Sequence, residues 1–144
     1  MARTNKIEQE LTFHSLIRGH HKSLHYMPSK DHFLYCHKDE SDGAQSIDPD
    51  SIGVYHDDSI IGHMPIEISN LMNYFLQLGL SARLSASPTG KRIRNKGLSI
   101  PCTYTATGTS AFNINILKKE LKKISESNNS VVSEIKSIKT VVIN

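Results

Sequence analysis

His63 stands in the stretch "SIDPDSIGVYHDDSIIGHMPIEIS", between an apolar run and a proline that opens a helix-like pattern. At the head of a helix an imidazole lies near unpaired backbone N–H groups and the positive end of the helix dipole, a place that favours anions. Asp48 upstream can accept a hydroxyl proton while the imidazole accepts or donates. Together they have the chemistry to hold a phosphate or a terminal hydroxyl; a histidine that packs at the corner and caps a backbone carbonyl is the simpler alternative. A second cluster is cationic. Lys91, Arg92, Arg94 and Lys96 lie in "TGKRIRNKG" between Gly90 and Gly97. This reads as a phosphate-contacting finger, which gives affinity and salt dependence without sequence specificity. It reads equally as a charged hairpin tip that keeps an exposed turn soluble.

Other chemistries fit less well. The chain has eight histidines, with His20 beside His21 and His32 near Cys36 and His37, but no C-x2-C pair. On a strand His32 and Cys36 share one face while His37 points to the other, so no metal or other cofactor is expected. The same geometry separates Cys36 from a neighbouring histidine as base. Asp57 and Asp58 form a turn in which they repel each other rather than flank a substrate. "SPTGKR" lacks the leading glycine of a phosphate-binding loop. A non-enzymatic chain is expected.

The elements that must position His63 and Asp48 follow from periodicity. "LTFHSLIR" (11–18), ending at Gly19, and the aromatic-rich "HFLYCHK" (32–38) read as strands. "DESDGAQSIDPD" is loop by composition. Ile52 and Val54, a turn at Asp57-Asp58, and Ile60-Ile61 read as a hairpin. From Pro65 the period changes: Ile68, Leu71, Met72, Phe75, Leu76 and Leu78 recur at three- and four-residue steps, predicting a helix over 66–78. Gly79 would close it in a positive-φ conformation. "LSARLSA" (80–86) and "LSIPCTYTATG" (98–108) are strands, giving the order β-β-β-β-α-β-β and then a helical tail.

Size and charge bound the function. The 144 residues suffice for one domain with a single core. No run reaches the length of a membrane span, the N-terminus is polar, and two isolated cysteines suit a reduced compartment. An intracellular chain, nuclear or cytoplasmic and without membrane attachment, is expected. The net charge of +3 hides asymmetry: residues 1–63 carry 6 Lys/Arg against 10 Asp/Glu, and residues 64–123 carry 9 against 2. An anionic partner near 83–123, or a solvated face, accounts for such a block.

Asp48, "SIGV", a short turn, "IIGHMP" and a helix, in that order, resemble the HIRAN domain. That family has Asn-Pro-X-Asp, an Ala-Ile-X-Val strand, and a Gly-His or Gly-Tyr step into a helix; "GLSIPCTYTATG" looks like its closing strand, above all in HIRAN-like proteins of transposon-rich animal genomes. The resemblance covers about 11–109. It implies a mainly β fold, a small OB-like barrel with one helix, and binding of a 3′-terminal nucleotide of single-stranded DNA. His63 falls on the Gly-His position, Asp48 on the motif aspartate and Gln45 near its asparagine. Gly19 with His20 and His21 resembles a first-strand glycine followed by an Arg-aromatic-aromatic run. Three positions depart: Ile47 replaces an aromatic, Ile66 a lysine, and Leu98 a base-stacking phenylalanine. Stacking contributes about 1–3 kcal/mol per base, so the fold carries over better than the activity.

The tail holds a regular 3.5-residue repeat. Ile114, Leu121, Asn128, Ile135 and Val142 take the a positions of a heptad, and Leu117, Ile124, Val131 and Ile138 take d. This predicts a parallel coiled-coil homodimer over 114–142, with Asn128 fixing register. The alternative is a helix folding back on the barrel and breaking at 127–130. The expected organisation is an extension (1–10), a HIRAN-like barrel (11–109) and a C-terminal helical segment (110–144). The expected function is nucleic-acid binding; a protein-interaction or assembly module that has lost DNA-end binding is the rival.

Overall fold

The structure, a computed structural model, describes residues 6–19, 33–79, 81–90 and 99–143. Strands β1 (Lys6–Ile17) and β2 (Leu34–Lys38) come first, then a one-and-a-half-turn helix α1 (Asp42–Ile47). The hairpin β3 (Ile52–His56) and β4 (Ser59–His63) leads into α2 (Ile66–Gln77). β5 (Arg83–Pro88), β6 (Ile100–Gly108), α3 (Ala111–Ser127) and β7 (Lys139–Ile143) complete the chain. One antiparallel sheet holds all seven strands in the order β4-β3-β2-β5-β6-β1-β7. The architecture is mainly β, as expected. Among the described residues no helix is long and apolar enough to cross a membrane, and Cys36 and Cys102 are buried free thiols.

Alternation decides the core. Leu11, Phe13 and Ile17 of β1 and Ile100, Cys102, Tyr104 and Ala106 of β6 point to one face and are buried. The Tyr104 hydroxyl donates to the Leu16 carbonyl at 2.7 Å, so its polar tip is satisfied inside the core. On α2, Ile68, Met72 and Phe75 are buried at helical spacing against this face. Gly79 does not take positive φ; Leu78 ends the helix in a right-handed conformation with its N–H on the Phe75 carbonyl. The "SDGAQSI" segment read as loop is α1, begun by Ser41, whose hydroxyl accepts from the Ala44 N–H.

The sheet does not close into a barrel through a continuous ladder. Edge strand β4 meets the end of β1, the strand next to the opposite edge, at one point. Arg18, just past β1, and His63, the last residue of β4, exchange two backbone hydrogen bonds of 2.8 Å. Gly62 permits this approach: a Cβ there would lie 2.6 Å from Ile17 Cγ2 and 2.7 Å from the Arg18 carbonyl oxygen. In the β3–β4 turn Asp57 has φ of 53°, a left-handed conformation that aspartate tolerates.

The tail overturns the coiled coil. Ser110 caps α3 by accepting from the Asn113 N–H at 3.1 Å, and Ile114, Leu117 and Leu121 are buried in the sheet's own core. Ile124 packs half-buried against it. Asn128 ends the helix rather than occupying a seam, and Val131 is buried in the turn that follows. Ile135 and Ile138 pack against the core from the irregular segment before β7, and Val142 lies on β7 opposite Ile7 of β1. Fully burying one such side chain contributes about 1.5–3 kcal/mol, so these residues are spent within the chain. The helix folds back, as in the alternative, and the sheet recruits residues from both flanks of 11–109.

Candidate functional site

The corner at His63 is built by three elements. The Arg18 bridge fixes the backbone of β4, Met64 N–H donates to the Ile52 carbonyl at 3.0 Å, and Pro65 starts α2. Here the end of β1, the C-terminal end of α1 and the first turn of α2 enclose an open pocket of about 260 Å³. Gly19, Asp48, His63, Ile47 and Ile66 all line it, together with Arg18. Gly19 takes φ of 74°, which favours glycine. The resemblance therefore named residues that the fold brings to one place. His20, His21, Lys91, Arg92, Arg94 and Lys96, with Leu98, lie outside the described residues.

His63, Asp48 and Arg18 each have a structural partner. His63 Nε2 lies 2.7 Å from Asp39 Oδ2, and Asp39 is buried. Burial by itself raises the Asp39 carboxyl; hydrogen bonds from His63 and Ser41 outweigh it and hold the group below its usual range. Asp39 thus fixes the ring and leaves Nδ1 as its second polar atom. Asp48 Oδ2 accepts from Ser69 Oγ in the first turn of α2, and its Oδ1 accepts from the Asp50 N–H at 3.0 Å. A carboxylate oxygen has a second lone pair, so Asp48 can still accept a ligand hydroxyl. Gln45 is used differently: its amide donates to the Asp39 carbonyl at 2.8 Å, steadying the loop that carries the histidine's partner.

Sequence reasoning missed Asp39 and Arg18. Arg18 Nη1 pairs with Glu67 Oε1; the Glu67 carboxyl, which burial raises, is held low by this guanidinium. The adjacency of Arg18 to Gly19 was the available signal. For Asp39 the signal is indirect: registers His37↔Gly53 and Gly53↔His63 bring the end of β2 within reach of the end of β4. Among the described residues the charge around the pocket consists of Asp39, Asp48 and Glu67 against Arg18, with His63 between them. With the Arg18 guanidinium engaged by Glu67, the described part of the pocket suits a hydroxyl better than a free phosphate. Among the described residues no group of three or more His, Cys, Asp or Glu could hold a metal ion.

Among solved structures the chain is similar to the crystal structure of the HIRAN domain of human HLTF, with a TM-score of 0.58 and 18% sequence identity. The match covers 80% of this chain and 91% of that one. The fold is that of a HIRAN domain. At this identity the likeness carries the HIRAN architecture alone. No family model and no curated protein matches the sequence. In this chain the rim of the pocket at His63 and Asp48 carries two isoleucines, Ile47 at 80% and Ile66 at 55% exposure.

Proposed function

We propose that this domain is a nucleic-acid-binding module that takes the free 3′ end of single-stranded DNA into the pocket at His63. The observation that carries the reading is the convergence of Asp48 and His63 on one open pocket at the head of α2. Asp48 accepts the terminal hydroxyl, and the Asp39-held imidazole supplies a second polar contact. Ile47 and Ile66 give the terminal base or sugar an apolar rim, weaker than an aromatic platform. Lys91, Arg92, Arg94 and Lys96 add backbone contacts and salt dependence. In this reading the chain works without chemistry of its own, inside the cell, in the nucleus or cytoplasm.

Fluorescence anisotropy with matched oligonucleotides, free or phosphorylated at the 3′ end, tests it. The free end binds tighter. Asp48→Asn and His63→Gln, chosen to keep partners for Ser69 and Asp39, reduce that preference by about 1 kcal/mol or more each. Equal affinity for both ends would mean that only backbone charge is read. The exposed apolar rim favours one rival, a protein-interaction module on the same fold, and absence of any binding at low salt would select it.

A further inference from the structure

Twelve large apolar residues are exposed among the described residues, and four of them meet in one groove between α2 and α3. Tyr74 and Leu78 form one wall and Phe112 and Ile116 the other, while Phe75 and Leu117 make the floor. Tyr74 is 62% and Phe112 72% exposed, high values for aromatic rings next to a buried floor. Each wall is an i, i+4 pair, so its two side chains stand one helical turn apart, about 6 Å along the axis. That spacing matches the anchors of a third helix laid into the groove.

The ends of the groove differ in charge. Along α3 the line of Phe112 and Ile116 continues at steps of three and four into Lys119 and Lys123, with Lys122 beside them, all exposed. Lys123 pairs with Glu120; Lys119 and Lys122 form no ion pair with a described residue. On α2 the acidic Glu67 is engaged by Arg18. The face therefore presents Lys119 and Lys122 without an ion-pair partner among the described residues, beside the Lys123–Glu120 pair. A second copy of the chain would offer the same lysines; complementarity asks for acidic residues flanking apolar anchors.

We propose that the α2–α3 groove is a docking site for an acidic amphipathic helix of a partner protein. Its apolar residues at i, i+4 fill the space between Tyr74 and Phe112, and its carboxylates face Lys119, Lys122 and Lys123. The groove is lined by none of the residues of the His63 pocket, so the two sites are separate places on the fold.

The test is a titration of the isotopically labelled intact chain with a synthetic helical peptide carrying leucine and phenylalanine at i, i+4 and i+7 among glutamates. A peptide with lysines in place of the glutamates serves as control. The acidic peptide shifts the amides of Tyr74, Phe112, Ile116 and Lys119, and binds at least tenfold tighter than the basic one. Phe112→Ser with Ile116→Ser removes this binding while the melting curve stays unchanged, and Lys119→Glu with Lys123→Glu reverses the preference between peptides. Equal binding of both peptides, or none at millimolar concentration, overturns the proposal. So does a dimer by light scattering that Phe112→Ser dissociates, which would make a second copy the occupant. Partition onto phosphatidylserine vesicles through the same residues would overturn it in favour of a lipid surface.

Discussion

Asp39 and His63 share a 2.7 Å hydrogen bond across 24 residues of sequence. Three strands make the contact: β2 delivers Asp39, β3 sets the spacing, and β4 ends on the histidine. The aspartate is in turn fixed by Ser41, whose backbone N–H donates to Asp39 Oδ1 at 3.0 Å. A buried carboxylate so bonded makes the pocket's geometry depend on charge.

The first expectation concerns acid. The Asp39 carboxyl is depressed in the folded state, so the unfolded chain binds more protons at low pH. Its contribution is fully present above the ordinary value of 3.8 and is lost as pH falls through the lower folded value. Asp50 and Glu67, also depressed, titrate in the same sense. Urea melts from about pH 2 to 6 should show Asp39→Asn less stable than the unsubstituted chain at the upper end, with the gap closing toward the lower. A constant gap would mean that the carboxylate's charge is immaterial.

Gly62 provides a test of the seam that joins β4 to the end of β1. An alanine there places Cβ against the Arg18 carbonyl and Ile17. The cost is about 1–3 kcal/mol, of the size seen for overpacking. Because the Arg18 bridge also positions His63, Gly62→Ala should weaken oligonucleotide binding more than an equally destabilising core substitution such as Ile114→Val. Matched thermal melts and anisotropy titrations decide it.

The folded-back tail separates from a helical seam by two substitutions. Leu121→Ala empties a fully buried site and should cost about 2–5 kcal/mol at any protein concentration. Asn128→Leu removes the Oδ1 that accepts from Ser130 at 2.7 Å, and should cost roughly 0.5–1.5 kcal/mol. At a coiled-coil seam the same change would stabilise. Denaturant melts at two concentrations distinguish the outcomes.

At the pocket rim the expectation is a gain. Ile47→Tyr supplies an aromatic face and Ile66→Lys a cation at the two exposed rim positions. Stacking contributes about 1–3 kcal/mol per base, so the double substitution should tighten single-stranded oligonucleotide binding at least fivefold. Unchanged affinity in the anisotropy assay would remove these positions from the ligand's path.

Much of the frame was legible because the period of apolar residues is a local property. The helix predicted over 66–78 is Ile66–Gln77, the hairpin turns at Asp57-Asp58, and the strand at 98–108 is Ile100–Gly108. The tail was misread for a physical reason. Ile114, Leu117 and Leu121 do form a helical stripe, and Val131, Ile135 and Ile138 happen to keep its spacing after the backbone has left the helix. The β-branched "TVVI" favours a strand, but only the open edge of β1 at residues 6–10 gives it one to join. Asp39 was illegible because its role exists only once three strands are in register.

The pairing of β1 with β7 has a consequence for how the chain is made. Gln9 Oε1 accepts from Thr140 Oγ1 across 131 residues, and the Glu10↔Lys139 register continues that ladder. During synthesis Gln9 and Glu10 can pair on one side with β6, but the edge of residues 6–10 that faces β7 stays open until residues 139–143 have been added. The paired residues are 131 apart in sequence, which places this pairing late and slow. Until then the segment around Ile7 is an exposed strand seeking a partner, and a chaperone or a neighbouring nascent chain competes with β7 for it.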